Sequence, residues 1–316
     1  MSTDASATGP VVLHIAFGDS ALQPPAGGRD AARIRLDLPC LAGQAEETIF
    51  DGLQPLPTID GVTLFQRGDL HVGHAQEPFD EATVEAASRR LYDRVLKACN
   101  RRRLYRAWNY VPRINAYKDG LEHYRAFCKG RSLAFEASHG AGYEVRLPAA
   151  SAVGSDGRTL DVVFAAGLKT PRHVENPEQV PAYRYPREYG PRSPSFSRAT
   201  AVVEGGREWI FVSGTASIKG HATVGVGSLR EQIDCTLDNL RLISLNSGAG
   251  ESLGRGTPGP AWERHFKIYL RRADDLARAR ELLERILVFP GDHVTWLRSD
   301  ICRAELDIEI EATLVR

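Results

Sequence analysis

The sequence predicts an α+β protein of two similar lobes, each a mixed sheet with its helices on one face. Three observations carry that expectation. Each half of the chain runs strand, helix, strand, helix, strand. The stretches read as helices are amphipathic, and those read as strands alternate in polarity or are rich in strand formers. Between the halves lies a segment, residues 169–197, that is dense in Pro, Tyr and Arg and too long for a plain connection; such loops in compact proteins are usually functional. The lobes are expected at residues 1–168 and 169–316. The repeat is one of element order, not of residue identity.

In the N-terminal half, Val62–Gln66 reads as a strand. A helix is expected over Phe79–Cys99, opened by Asp80 as N-cap with Glu81 in the first turn, where a carboxylate meets the positive end of the helix dipole. Leu104–Asn115 reads as a strand, Gly120–Phe135 as a helix, and Tyr143–Ala152 and Asp161–Ala166 as strands.

In the C-terminal half, Trp209–Ile218 is rich in strand formers. Leu229–Leu245 places Leu229, Ile233, Leu237, Leu240 and Ile243 at helical spacing. A Gly/Ser/Pro loop follows over Asn246–Pro260. His265–Arg271 alternates as a strand, Ala273–Ile286 is a second amphipathic helix, and His293–Ile301 and Leu306–Val315 are strands. The last strand sets Leu306, Ile308, Ile310, Ala312 and Leu314 on one face and Asp307, Glu309 and Glu311 on the other.

Composition narrows the function. Of 316 residues, 42% are hydrophobic and 25% charged, as in a globular chain able to bury a sizeable core. Forty basic residues balance forty acidic ones, so no global field gathers nucleic acid or an anionic membrane. Most of the basic residues are Arg, which grips planar carboxylates bidentately, although a GC-rich genome explains the bulk of them. No run approaches the roughly 18 apolar residues of a membrane span. Residues 1–10 lack the basic start and apolar core of a signal peptide and read as a frayed tail. Five cysteines, an odd number without C-x-x-C spacing, favour a reducing cytoplasm over a disulfide framework or a zinc site. The histidines are scattered and no H-E-x-x-H occurs, so no metal is expected. Gly225-Val226-Gly227 reads as a turn rather than a phosphate loop. Arg101-Arg102-Arg103 reads as a solvated helix cap rather than an RNA contact.

One feature of the terminal strand bears on chemistry. Glu309 is the central acid of three on one face. Either that face is the solvated outside of an edge strand, or the carboxyl projects into a cleft, where desolvation raises its pKa toward the range of a general acid. Glu311 lies on the same face and is an alternative acid.

Two resemblances arise at this point. The strand at 209–218 with Ser213-Gly214, then helix, strand, helix and a terminal Glu309-Ile310-Glu311-Ala312, is similar to the RidA (YjgF) fold, also called chorismate-mutase-like. A longer resemblance, over most of the chain, is to the chorismatases, or 3-hydroxybenzoate synthases. Its segments are Leu104–Asn115 (LYRAWNYVPRIN), His123–Arg131 (HYRAFCKGR), Arg192–Ala199 (RSPSFSRA), Phe211–Gly227 (FVSGTASIKGHATVGVG) and Asp307–Ala312 (DIEIEA).

This resemblance implies two RidA-like lobes with a cleft between them and cleavage of chorismate into pyruvate and a ring acid, 3-hydroxybenzoate with or without 4-hydroxybenzoate. It implies no cofactor. Chorismate carries two carboxylates, and two Arg–Tyr pairs suit two anions: Tyr124 with Arg131, and Tyr185 with Arg198. Arg106 and Arg113 are weaker candidates for further positive charge. Glu309 takes the acid role, protonating the enolpyruvyl methylene. Cys302 matches the cysteine of the benzoate-forming branches, whereas Ala216 looks more like the hydrolytic branch, which yields a dihydroxycyclohexadiene carboxylate. Cys302 is otherwise one more small buried hydrophobe. All anchors lie on one chain, so the site requires no oligomer. Two rivals stand beside this reading. An imine deaminase of the RidA type needs an Arg on the penultimate strand facing the terminal glutamate, and Arg298 matches poorly. A non-catalytic sensor of aromatic acids would use the same anchors.

Overall fold

A computed structural model of the chain describes residues 9–18, 31–256 and 261–316. The expected tail at residues 1–10 and the end of the Asn246–Pro260 loop fall largely outside them. The N-terminal half forms β1 (Val11–Phe17), β2 (Ala31–Leu36), β3 (Cys40–Gly43), β4 (Glu46–Ile59), β5 (Val62–Arg67) and β6 (Leu70–Pro78). Helix α1 (Val84–Cys99), β7 (Arg103–Pro112), the short pair β8 (Tyr117–Lys118) and β9 (Leu121–Glu122), helix α2 (His123–His139), β10 (Ala149–Ser155) and β11 (Thr159–Gly167) follow. The C-terminal half forms β12 (Arg172–Val174), β13 (Ala199–Glu204), β14 (Arg207–Thr215), β15 (Ile218–Lys219) and β16 (Ala222–Thr223). It ends with α3 (Leu229–Ser247), β17 (Glu263–Leu270), α4 (Leu276–Leu283), β18 (His293–Arg298) and β19 (Ile308–Val315).

Among the described residues these strands make two large mixed sheets. One has the order β10-β7-β11-β6-β5-β4-β1-β2, the other β12-β13-β14-β19-β17-β18-β3. Parallel pairing joins β1 to β2 and β10 to β7 in the first, and β17 to β18 in the second. The molecule is four layers deep. Leu91, Val95, Phe127 and Phe135 of α1 and α2 pack on Leu64, Ala107, Val162 and Phe164 of the first sheet. Ile233, Leu237, Leu240 and Leu283 of α3 and α4 pack on Ile210, Val212, Ile268 and Ile310 of the second. The inner faces close on each other through Phe50, Trp108 and Val163 against Trp209, Phe211 and Tyr269. Phe50 stacks on Trp209 with ring centroids 5.7 Å apart. This is the α+β architecture expected, with each sheet's helices on one face.

The differences are local and have physical causes. Asp80 does not cap α1. Its side chain accepts the Ala82 N–H and its carbonyl the Thr83 N–H, each at 3.0 Å, building a turn ahead of a helix that starts at Val84. Residues 121–122 belong to the β8–β9 hairpin, so α2 starts at His123 and runs on to His139. Tyr143–Arg146 is a 3-10 turn, and pairing begins only at Ala149. Ala273–Asp275 is also 3-10, α4 ends at Leu283, and β18 ends at Arg298 rather than Ile301. Strands β1 to β4 and β6 lie where no element was expected; β4 runs straight through Pro55 and Pro57. Strand β3, from the N-terminal half, pairs antiparallel with β18 at the edge of the second sheet. No helix among the described residues is long and apolar enough to cross a membrane.

The largest correction concerns the terminal strand. β19 lies between β14 and β17, not at an edge. One face meets the helical layer through Ile308, Ile310, Ala312 and Leu314. Its polar face is turned toward the first sheet, so Glu309 and Glu311 are 3% and 2% exposed. The solvated-edge reading of Glu309 fails because both faces of this strand are covered.

Candidate active site

Two adjoining cavities open between the lobes and share Tyr124, Pro194, Phe196, Gly214, Cys302 and Glu309 in their walls. Arg198, Tyr185 and Ala216 line the larger, Arg131 and Ser151 the smaller. The seven residues singled out from the sequence therefore surround one cleft.

Glu309 is held there by its neighbours on β14. Val212 pairs with Ala312 but Thr215 with Ile310, so β14 carries one extra residue, a bulge, at Ser213–Gly214. Bulges commonly re-aim side chains next to active sites. Ser213 fixes this one by accepting the Ala150 N–H at 2.8 Å and donating to the Ser197 carbonyl at 2.6 Å. The Glu309 carboxyl occupies the space left by the missing side chain of Gly214. Its Oε1 has no hydrogen-bond partner. Burial, and then the negative charge of Glu311, push the acid up to about 8, with Arg106 pulling the other way. At neutral pH Glu309 is thus a carboxylic acid with a proton to give.

Glu311 has the opposite environment. Arg106 Nη2 donates to its Oε2 at 2.6 Å, and Lys267 Nζ stands 2.9 Å from its Oε1. Lys267 also donates to Glu47 at 2.6 Å. Burial raises the pKa of Glu311, but the two cations outweigh it and hold the carboxyl below its usual range. Two neighbouring acids on one strand face are thereby set in different protonation states. Arg106 leaves Nε and Nη1 without partners but lines neither cavity, so it acts on Glu309 through its field. Arg113 is not brought to the site: its side chain is exposed and pairs with Glu81. Arg298 turns away as well, to Asp156 at 3.3 Å, so Glu309 has no arginine partner on the penultimate strand.

The anchor residues come from both lobes. Tyr124 and Arg131 sit seven apart on α2 and so share a face. Gly130 lets that helix close on α1, since a Cβ there would lie 2.1 Å from the Glu85 carbonyl oxygen. Arg131 is 3% exposed, stacks over Tyr92 at 4.8 Å and Phe135 at 5.4 Å, and leaves Nε and Nη2 without partners. Burial, together with Cys128, Cys302 and Glu309, keeps the Tyr124 phenol protonated well above its ordinary range, so it can donate. Arg198 Nη2 donates to the Tyr185 hydroxyl at 2.8 Å and to the Val180 carbonyl at 3.1 Å, so the fold brings these two residues together. Its Nε has no hydrogen-bond partner, and Glu175 is 3.9 Å away. Glu175 is itself pushed up to about 7 by burial, against the pull of Arg198. Both guanidinium groups therefore offer unsatisfied N–H donors in a buried site, a costly arrangement unless an anion arrives to fill it.

Cys302 lies in the turn between β18 and β19, not on a strand, and packs with Ala216, Ile301 and Leu306 in one small cluster. The two residues suspected of steering the product are thus part of one wall. Burial, then Glu309, pushes the thiol far above its ordinary value, so Cys302 is a neutral, soft surface and not a thiolate.

Several lining residues were not singled out from the sequence. Beside Tyr185, the 169–197 connection supplies Tyr189, Pro194 and Phe196 to the wall. Arg303 lies over the Tyr189 ring at 4.2 Å and leaves Nη2 unpartnered, which adds a third guanidinium to the rim. Ser151, on β10, comes from the other sheet and meets Arg106 at 3.0 Å. Only three-dimensional packing brings these positions to the cleft.

Comparison with known proteins adds a separate line. Residues 57–166 match the family described as "Chorismatase FkbO/Hyg5-like, N-terminal". The chain is 33% identical over 306 residues to a 3-hydroxybenzoate synthase of Streptomyces hygroscopicus, an alignment covering 91% of this chain and 86% of that protein. It is 38% identical over 217 residues to a chorismatase of Streptomyces rapamycinicus, covering 67% of this chain and 64% of that one. A crystal structure of a chorismatase superposes with a TM-score of 0.78 at 26% identity, covering 99% of this chain and 95% of the other.

Proposed function

The chain belongs to the chorismatase family, and from that premise we propose that this chorismate-converting enzyme yields 3-hydroxybenzoate and pyruvate, with Glu309 as the proton donor. The observation that supports this reading best is one cleft holding a buried, unpartnered, protonated carboxyl and two buried guanidinium groups with free N–H donors. Chorismate has the complementary groups: two carboxylates and an acid-sensitive enol ether. Arg131 with Tyr124 would take one carboxylate and Arg198 with Tyr185 the other, each by charged hydrogen bonds that fix the ring against Glu309.

The acid then transfers its proton to the terminal methylene of the enolpyruvyl ether. Positive charge develops at the ether carbon as an oxocarbenium ion, which the new Glu309 carboxylate stabilises electrostatically. The ring hydroxyl at C4 attacks that carbon and gives up its proton, closing a cyclic ketal; the C4–O bond then breaks as the C3 proton leaves, which aromatises the ring, and the remaining hemiketal collapses to 3-hydroxybenzoate and pyruvate, whose keto oxygen is the former ring oxygen. 3-Hydroxybenzoate and pyruvate together hold all the atoms of chorismate, so this route consumes no water, and the departing proton restores the acid. No step needs a cofactor.

The relative that aligns over most of the chain is named a 3-hydroxybenzoate synthase, which favours the benzoate product; 4-hydroxybenzoate is the second product that the family resemblance implies. Ala216 supports a second reading, hydrolysis to the dihydroxycyclohexadiene carboxylate, because it resembles the residue of the hydrolytic branch at that position. Mixing the purified enzyme with chorismate tests both. Pyruvate is followed with time and the ring product is separated by chromatography. Benzoate with pyruvate is expected; a diol with pyruvate means hydrolysis, and chorismate recovered intact would mean a binding protein and no enzyme.

A further inference from the structure

The histidines that are scattered in the sequence do not stay scattered in the fold. Parallel pairing of β17 with β18 sets His265 directly opposite His293. The two imidazole rings stack with centroids 4.3 Å apart and planes 8° from parallel. Glu263, two residues before His265 and hence on the same strand face, brings Oε1 to 2.9 Å from His265 Nε2 and 3.5 Å from His293 Nε2. One atom from each of the three side chains lies within 4.8 Å of the others. This group stands at the other end of the sheet from the substrate cleft. His265 pairs with Thr313, four residues along β19 from Glu309, or about 13 Å at strand spacing.

We propose that Glu263, His265 and His293 form a second site, for a divalent transition-metal ion of the zinc type. Three features argue for it. Two imidazoles and one carboxylate are the donor set of a zinc centre that keeps a position open for water. Both Nε2 atoms lie within 3.5 Å of a single carboxylate oxygen, the place a cation would enter. His293 also has an outer partner: its Nδ1 lies 3.1 Å from the Gln44 amide nitrogen and 3.3 Å from its Oε1, and Gln44 is itself anchored by its backbone N–H to the Val294 carbonyl at 2.8 Å. Rotation of the amide by half a turn would set its carbonyl to accept the Nδ1 proton and leave the Nε2 lone pair for the metal, the usual arrangement behind a ligating histidine. Glu263 is exposed and long enough to swing aside as the ion enters. The ion would join β17 to β18 and, through Gln44, to the segment just after β3.

The test uses the untagged full-length chain stripped with a chelator. Co²⁺ is titrated with its visible d–d absorption as readout, then displaced by Zn²⁺, and the melting temperature is followed with each ion. Saturation at one equivalent, with a rise in melting temperature, is expected. His293→Ala and Glu263→Ala, at half-buried and exposed positions, should keep the fold and lose the absorption. Gln44→Leu should weaken binding by about tenfold. Absence of the band in the parent chain, or a band unchanged in both alanine variants, would overturn the proposal. Pyruvate release from chorismate, measured in parallel, reads the other site, so the two outcomes stay separate.

Discussion

A Cβ at Gly214 would lie 1.9 Å from Glu309 Oε1 and 2.6 Å from its Cδ, so the acid stands where any larger residue would put its side chain. Gly214 does not have the positive φ that reserves a position for glycine. Its role is space. Gly214→Ala should fold, because the backbone tolerates it, and should push the carboxyl off its line. A displacement near 1 Å can cost about a hundredfold in rate, so pyruvate release should fall by that order while the far-ultraviolet spectrum is unchanged. Normal turnover in this variant would show that the Glu309 carboxyl is not the group that matters.

Glu309→Gln keeps shape but removes the proton, and turnover should drop about 10²–10⁴-fold with binding largely kept. The parent enzyme should stay active up to about pH 8 and lose kcat above it, as the acid ionises. Stability follows the same titration. The folded state holds this proton from the ordinary 4.5 up to about 8, where the unfolded chain has lost it. The contribution of Glu309 to stability is therefore fully present below 4.5 and is lost as pH rises through about 8. The Gln variant should accordingly gain melting temperature over the parent as pH climbs through that window. A pH–rate profile that falls near 5 instead of 8 would contradict the assignment.

Glu311→Gln separates the two acids. It leaves Arg106 buried with a neutral partner and Lys267 with Glu47 alone, and breaking such a buried pair costs about 3–5 kcal/mol. The expected result is a clear loss of melting temperature, in contrast to Glu309→Gln. Any activity that remains should shift its fall to lower pH, because Glu309 loses the neighbouring negative charge that keeps it protonated.

Arg131→Ala and Arg198→Ala each leave one substrate carboxylate without a charged partner. Losing a charged hydrogen bond costs about 1.5–3 kcal/mol, or roughly 10–100-fold in affinity. Lys at either position should recover only part of this, since it cannot grip both oxygens. Titration calorimetry with a non-reactive dicarboxylate analogue measures it, and undiminished affinity in both alanine variants would remove them as anchors.

Cys302→Ala should leave pyruvate release running and shift the ring products away from 3-hydroxybenzoate. The ring oxygen competes with water only while the wall holds it in line, and Cys302 shares that wall with Ala216. An unchanged product ratio would reduce Cys302 to packing and move attention to Ala216.

The terminal strand was legible because its alternation is strict from Leu306 to Leu314. What lay over its polar face was not, since a period of two tells which residues share a face and nothing about what covers it. Glu309 and Glu311 look equivalent in sequence; Arg106, 205 residues from Glu311 along the chain, makes them different. The helices were read to within a few residues because their apolar stripes are continuous. Strands β1 to β4 escaped notice, with Gly52, Pro55 and Pro57 interrupting the longest of them. The unpaired guanidinium of Arg131 cannot be seen in a sequence at all, because being unpaired is a property of the surroundings.

Strand β3 gives the gene a constraint of its own. Gln44 and His293 touch across 249 positions, so an early piece of the translated chain closes the border of a sheet otherwise made from its second half. A split at 168/169, natural as it looks on paper, would strand Thr295–Leu297 with open amides and carbonyls, the kind of edge that recruits other chains. Separate expression of the second half should therefore give aggregates, and adding residues 1–168 in trans should rescue its solubility. Any ancestral duplication has been sewn shut, and the descendant halves can no longer be traded as modules.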